Sequence, residues 1–126
     1  MEYVTIVAML ALIQLIVFSM IVGKARGAAG IKAPAMTGDE VFERTNRAHQ
    51  NSLEQIVIFI PALYAAAYYL YPELAAGFGV MYVIGRTLYF QAYVKEPSKR
   101  GPGMMFTMFA NMALIIAAIV GAMIAL

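Results

Sequence analysis

From Met104 to Leu126 the chain carries no charged side chain, and three other apolar stretches of similar reach come before it. At about 1.5 Å of rise per residue, such a stretch crosses the ~30 Å hydrocarbon core of a bilayer as a helix. The expected spans are residues 3–23, 50–71, 74–94 and 104–126. A soluble domain carries roughly 25% charged residues; this chain carries 13%, against 63% hydrophobic. The fold class is therefore an all-α membrane protein. Short connections make it an up-and-down bundle of four transmembrane helices in one domain, residues 1–126. There is no cysteine, which excludes disulfides, thiolate metal sites and a cysteine nucleophile. One histidine and no acidic cluster around it leave no metal expected. The net charge of +2 is small, and no nucleic-acid partner is expected.

The first span is too long and too poor in preceding positive charge for a signal peptide. Gln14 and Ser19, its clearly polar side chains, are expected to face other helices. Gly27, Gly30 and Pro34 mark a first loop, residues 24–37, as helix breakers. Asp39 or Thr37 then suits the N-cap of a long second helix reaching Tyr71, and Asp39, Glu40 and Glu43 suit its positive end. Pro61 should kink that helix. Tyr68, Tyr69 and Tyr71 fit an interfacial aromatic belt. Of the nine basic residues, only Arg86 lies inside a span. The other eight lie on the side of loops one and three. By the positive-inside rule, loops 24–47 and 95–103 are cytoplasmic and both termini face outward.

The second helix opens on "ERTNRAHQNSLE" before turning apolar at Ile56. Arg47, Asn51 and Glu54 fall within about 60° of one another on a helix. Charges at such depth are costly and usually face a bundle interior or a watery site. Glu54 needs a partner, and Arg86 is the candidate within the chain; a structural Glu54–Arg86 bridge is one reading. Tyr82, Arg86, Tyr89 and Tyr93 share one face of the third helix. Together with Arg100, these groups sum to a basic pocket holding one carboxylate. It suits a small zwitterionic polyanion: arginines fork onto carboxylates, and Glu54 takes an ammonium. A nearby guanidinium would also stabilise a bound thiolate.

The pairing of "FERTNRAHQNSLE" with "GRTLYFQAYVKEPSKR" about 30 residues later resembles the signature of the MAPEG family, membrane-associated proteins in eicosanoid and glutathione metabolism. The resemblance covers about Arg26 to Arg100 and is nearest the microsomal glutathione transferase and leukotriene C4 synthase branch. It implies a homotrimer with glutathione, as co-substrate, bound between subunits at the cytoplasmic side. Arg47, Asn51 and Glu54 match positions that bind the tripeptide's charged groups. His49 matches a position reaching it from the neighbouring subunit, and Tyr89 and Tyr93 match third-helix tyrosines of the site. Arg100 matches the arginine that stabilises the thiolate, and Arg26 a first-helix arginine on glutathione that assists it. The chain also departs from the pattern: Gln55 and Met105 stand where leukotriene C4 synthase-like members have aromatics. Gly101 follows Arg100 where the prostaglandin E synthase branch has serine.

The resemblance thus implies a membrane-bound glutathione transferase, acting on hydrophobic electrophiles and lipid hydroperoxides, among lipid partners. The short form and the lack of a targeting sequence suit a bacterial inner membrane, with the endoplasmic reticulum as the alternative. The rival within the fold is a non-catalytic lipid- or glutathione-binding protein, like the branch that lacks the full glutathione set. A small drug exporter of four spans would want a carboxylate inside its first span, and this chain has none there.

Overall fold

The computed structural model describes residues 1–126 and contains four long helices. They are α1 (Glu2–Ala29), α2 (Glu40–Tyr69), α3 (Pro72–Lys95) and α4 (Gly101–Ile124). A single 3-10 turn, Pro97–Lys99, joins α3 to α4. Helices α1, α2 and α4 are long and apolar enough to cross a membrane. Helix α3 is less apolar because it carries Arg86, Gln91 and three tyrosines. Its 24 residues still reach about 36 Å, and it turns Tyr82, Arg86 and Tyr89 into the bundle. The chain is an all-α integral membrane protein. In the bundle, α1 packs on α2 and α3, while α4 packs on α2 and α3 from the other side.

Helix boundaries follow local chemistry. Asp39 caps α2 by accepting from the Phe42 N–H at 2.9 Å, which satisfies one of the helix's free donors. Helix α1 runs through Gly27 and stops only at Gly30, whose left-handed φ of 70° closes the last turn. The expected loop at 24–37 is therefore shorter, and Lys24 and Arg26 are helical. Gly27 breaks nothing, because one glycine inside a long apolar helix costs only about 1 kcal/mol. Pro61 lies inside a continuous α2. Likewise α4 begins at Gly101, three residues before the expected span.

The core is built from small residues and stacked rings. Ala8, Ala11, Ala62, Ala66, Ala75, Ala76 and Ala110 are all buried, with Phe59 stacked on Tyr82 at 3.9 Å. Small side chains let membrane helices approach closely, where dispersion rather than water exclusion holds them. The tightest approach joins α3 to α4. A Cβ on Gly103 would lie 2.6 Å from the Tyr89 Cα and 2.8 Å from the Gly85 carbonyl oxygen. Gln14 faces α3 as expected, donating to the Val83 carbonyl at 2.9 Å and to Thr87 at 2.8 Å. Ser19 is exposed instead of facing a neighbouring helix.

Only 29 of 126 residues are buried. Ile6, Ile13, Ile16 and Met20 give α1 an apolar outer face that suits lipid. The alternating topology gathers the last turns of α1 and α3 and the first turns of α2 and α4 at one end. Apart from Arg86, every basic residue lies at that end or in the loops that close it.

Candidate functional site

The first turns of α2 form an outer polar cavity of about 510 Å³, lined by Glu43, Arg44, Asn46, Arg47 and Gln50 with Met36 and Tyr93. Arg44 is committed within the chain, to Glu40 and to the Lys95 carbonyl at 3.1 Å. Arg47 is exposed and makes no hydrogen bond or ion pair within the chain. Its five donors are free for a ligand.

One turn deeper lies a second cavity of about 250 Å³, lined by Asn51, Glu54, Gln55, Arg86, Tyr89, Arg100 and Met104. Asn51 Nδ2 donates to the Tyr89 hydroxyl at 2.5 Å, tying α2 to α3. Tyr89 stacks on Tyr93 with centroids 5.6 Å apart, which links the wall of the deeper cavity to the outer one. The Arg86 guanidinium lies 4.1 Å from the Tyr89 ring centroid, a favourable cation–π distance.

Arg86 is 2% exposed. Its Nε and Nη2 donate to Ser52 Oγ at 3.3 and 2.9 Å, and Nη1 donates to Thr107 Oγ1 at 3.5 Å. The hydroxyls can accept because each spends its own proton on a backbone carbonyl: Ser52 on Ala48, Thr107 on Gly103. No carboxylate pairs with Arg86; the ion pairs are Met1–Glu2, Glu40–Arg44 and Glu96–Lys99. The Glu54–Arg86 bridge is therefore not formed. Hydroxyls from α2 and α4 satisfy the guanidinium, and Glu54 stays exposed at the cavity wall. A desolvated cation without a counter-ion, with Arg100 on the same cavity, leaves a net attraction for anions.

Of the eight expected site residues, Asn51, Glu54, Tyr89 and Arg100 share the deeper cavity. Arg47 and Tyr93 line the outer one. Arg26 and His49 line neither. Arg26 donates to the Ala35 carbonyl at 2.7 Å and covers the Phe42 ring at 4.6 Å, strapping the first loop to α2. It approaches the outer cavity only through Met36, whose Sδ lies 3.7 Å from Nη2. His49 is half-buried, about 200° around the helix from Asn51. Partial burial pushes its imidazole below the usual value of 6.5. The structure keeps Arg86 in the pocket and adds Ser52, Thr107 and Gln55 to the site. Arg86 was signalled by its depth in an apolar run. The two hydroxyls had no signal beyond being polar on buried faces.

The sequence model of the MAPEG family matches residues 4–120. An uncharacterized protein of Synechocystis sp. is 36% identical over 114 residues, 90% of this chain and 83% of that protein. Microsomal glutathione S-transferase 2 of Homo sapiens is 40% identical over 97 residues, 77% of this chain and 66% of its own length. Leukotriene C4 synthase of Bos taurus is 35% identical over 83 residues, 66% of this chain and 55% of its own. The family match takes in all four helices and both cavities, and the chain belongs to the MAPEG family.

Proposed function

We propose that this protein is a membrane-bound glutathione transferase that activates glutathione as a thiolate and conjugates it to hydrophobic electrophiles. The observation that carries the reading is the deeper cavity, where two guanidiniums, Arg86 and Arg100, meet a single carboxylate, Glu54. The names of two relatives, a glutathione S-transferase and a leukotriene C4 synthase, support the same chemistry.

In this reading Arg47 forks onto a glutathione carboxylate, Asn51 and the Tyr89 and Tyr93 hydroxyls fix the peptide, and Glu54 holds the ammonium. The thiol lies beside Arg100, at the N-terminus of α4. A guanidinium and the positive end of a helix both favour thiolate over thiol. The thiolate attacks an electrophile arriving from the bilayer, a sulfur–carbon bond forms, and the leaving group departs with the bond pair. Holding both reactants in one cavity supplies effective molarity. The same thiolate would reduce a lipid hydroperoxide to its alcohol, with a second glutathione closing the disulfide and releasing water.

Arg26 and His49 face away from the deeper cavity of their own chain. They belong to the site in a homotrimer, in which neighbouring subunits complete each other's pockets. The exposed α2 face carrying Arg47, Leu53, Glu54, Val57 and Ile58 supports such an assembly, since a membrane-embedded glutamate facing lipid is costly. Arg26 then assists Arg100 on the thiolate.

The protein resides in a bacterial inner membrane with its basic end cytoplasmic. Because the chain has no cysteine, single cysteines report topology cleanly. In intact cells, a cysteine replacing Lys32 should resist a membrane-impermeant maleimide and one replacing Glu2 should react. The reverse pattern would invert the orientation.

Turnover tests the function itself. Purified protein in micelles should consume glutathione and a hydrophobic aryl halide one to one. Glutathione binding with no turnover across a panel of halides, enals and lipid hydroperoxides would leave the non-catalytic binding role instead.

A further inference from the structure

Gln55 and Asn111 form an amide pair at the inner end of the deeper cavity. Asn111 Nδ2 donates to Gln55 Oε1 at 3.0 Å. Asn111 is 4% exposed, and its own carbonyl oxygen has no partner. A buried amide with an orphaned oxygen is a poor way to fill an apolar bundle. What it does achieve is to fix the head of Gln55. With Oε1 held by Asn111, the Gln55 Nε2 is left without a partner in the chain, on a side chain that lines the cavity.

The surroundings define what that donor meets. Along α2 and α4, the lining changes from Asn51, Glu54 and Arg100 to an apolar groove that includes Ile58 and Ile115. Gln55 precedes Ile58 by less than one turn, and Asn111 precedes Ile115 by about one. The donor therefore sits where a polar reacting group would join a hydrocarbon tail.

Resting on the transferase reading above, we infer that Gln55, oriented by Asn111, selects conjugated carbonyl compounds with long apolar tails as the second substrate. The glutathione sulfur bonds to the β-carbon. The carbon–carbon π pair shifts onto the carbonyl oxygen to give an enolate, and the α-carbon then takes a proton from water. The proton lost by the thiol on ionisation neutralises the resulting hydroxide. An amide N–H is no acid: it can hold the delocalised enolate charge but cannot protonate a departing alkoxide. That favours conjugate addition over opening of an epoxide. A fixed donor aimed at developing oxygen charge is worth more in a dry site than in water.

The test compares a long-chain 2-alkenal with a benzyl halide, which has no acceptor oxygen, at saturating glutathione. The readout is the ratio of kcat/KM for the alkenal to that for the halide. In Gln55→Met the ratio should fall about 100-fold, the cost of losing one oxyanion donor. In Asn111→Leu, which keeps the donor but frees its head, it should fall about tenfold. If Gln55→Met does not fold, Asn111→Leu decides. An unchanged ratio in the folded variant overturns the inference, as does a wild-type protein that turns over the halide but not the alkenal. Failure on both substrates and across the wider panel of halides, enals and lipid hydroperoxides, by protein that binds glutathione, overturns the transferase reading, and the inference falls with it.

Discussion

Replacing Gly103 with alanine is expected to cost about 3 kcal/mol of stability, the upper part of the range for overpacking a tight contact. The added Cβ would meet the backbone of Tyr89 and the carbonyl of Gly85 rather than a flexible side chain. Backbone cannot rotate aside, so α3 and α4 must separate. Separation moves Thr107 away from Arg86, one of the contacts that shape the deeper cavity. Glutathione binding should fail in step with the lowered thermal midpoint in micelles. Gly101→Ala is the control, because its Cβ would meet nothing within 4 Å, and such a change should stay within about 0.5 kcal/mol. Equal midpoints for Gly103→Ala and wild type would mean that α3 and α4 do not meet this closely.

The second large effect is on chemistry. Arg100→Ala should lower kcat about 100-fold, in the range seen for removing one charge-stabilising donor. Glutathione affinity should change far less, because in the proposed site Arg47, Asn51 and Glu54 would still hold the tripeptide. Arg100 is exposed and donates only to the Pro97 carbonyl, at 2.9 Å, so its loss should leave the fold intact. Arg100→Lys should recover part of the rate, keeping the charge but losing the planar fork. A kcat that holds while KM rises would instead make Arg100 a binding residue.

The bundle was legible because its signals are long and local. Asp39 announces the start of α2 through its short acceptor side chain, and the uncharged run after Met104 admits only a membrane helix. Gly27 misled because glycine punctuates loops in water, yet a long apolar helix carries it at modest cost. Arg86 was the sharper lesson. Its depth marked it as needing a partner, and Glu54 was the obvious anion in sequence. The structure uses Ser52 and Thr107 instead, because both hydroxyls lie on buried helix faces that Arg86 reaches directly. Helical periodicity places residues on a face, but it cannot say which face of the next helix they meet. Within one chain Arg26 and His49 lie apart from Asn51 and Arg100; the resemblance brings His49 to the site from a neighbouring subunit.

The cavity around Arg100 is proposed to bind glutathione and hold it as a thiolate. The direct measurement is the ultraviolet absorbance of thiolate while the detergent-purified protein is titrated with glutathione at neutral pH. Wild-type protein should give a saturable rise that disappears in Arg100→Ala while binding persists. Saturable binding with no thiolate signal in the wild-type protein would contradict it.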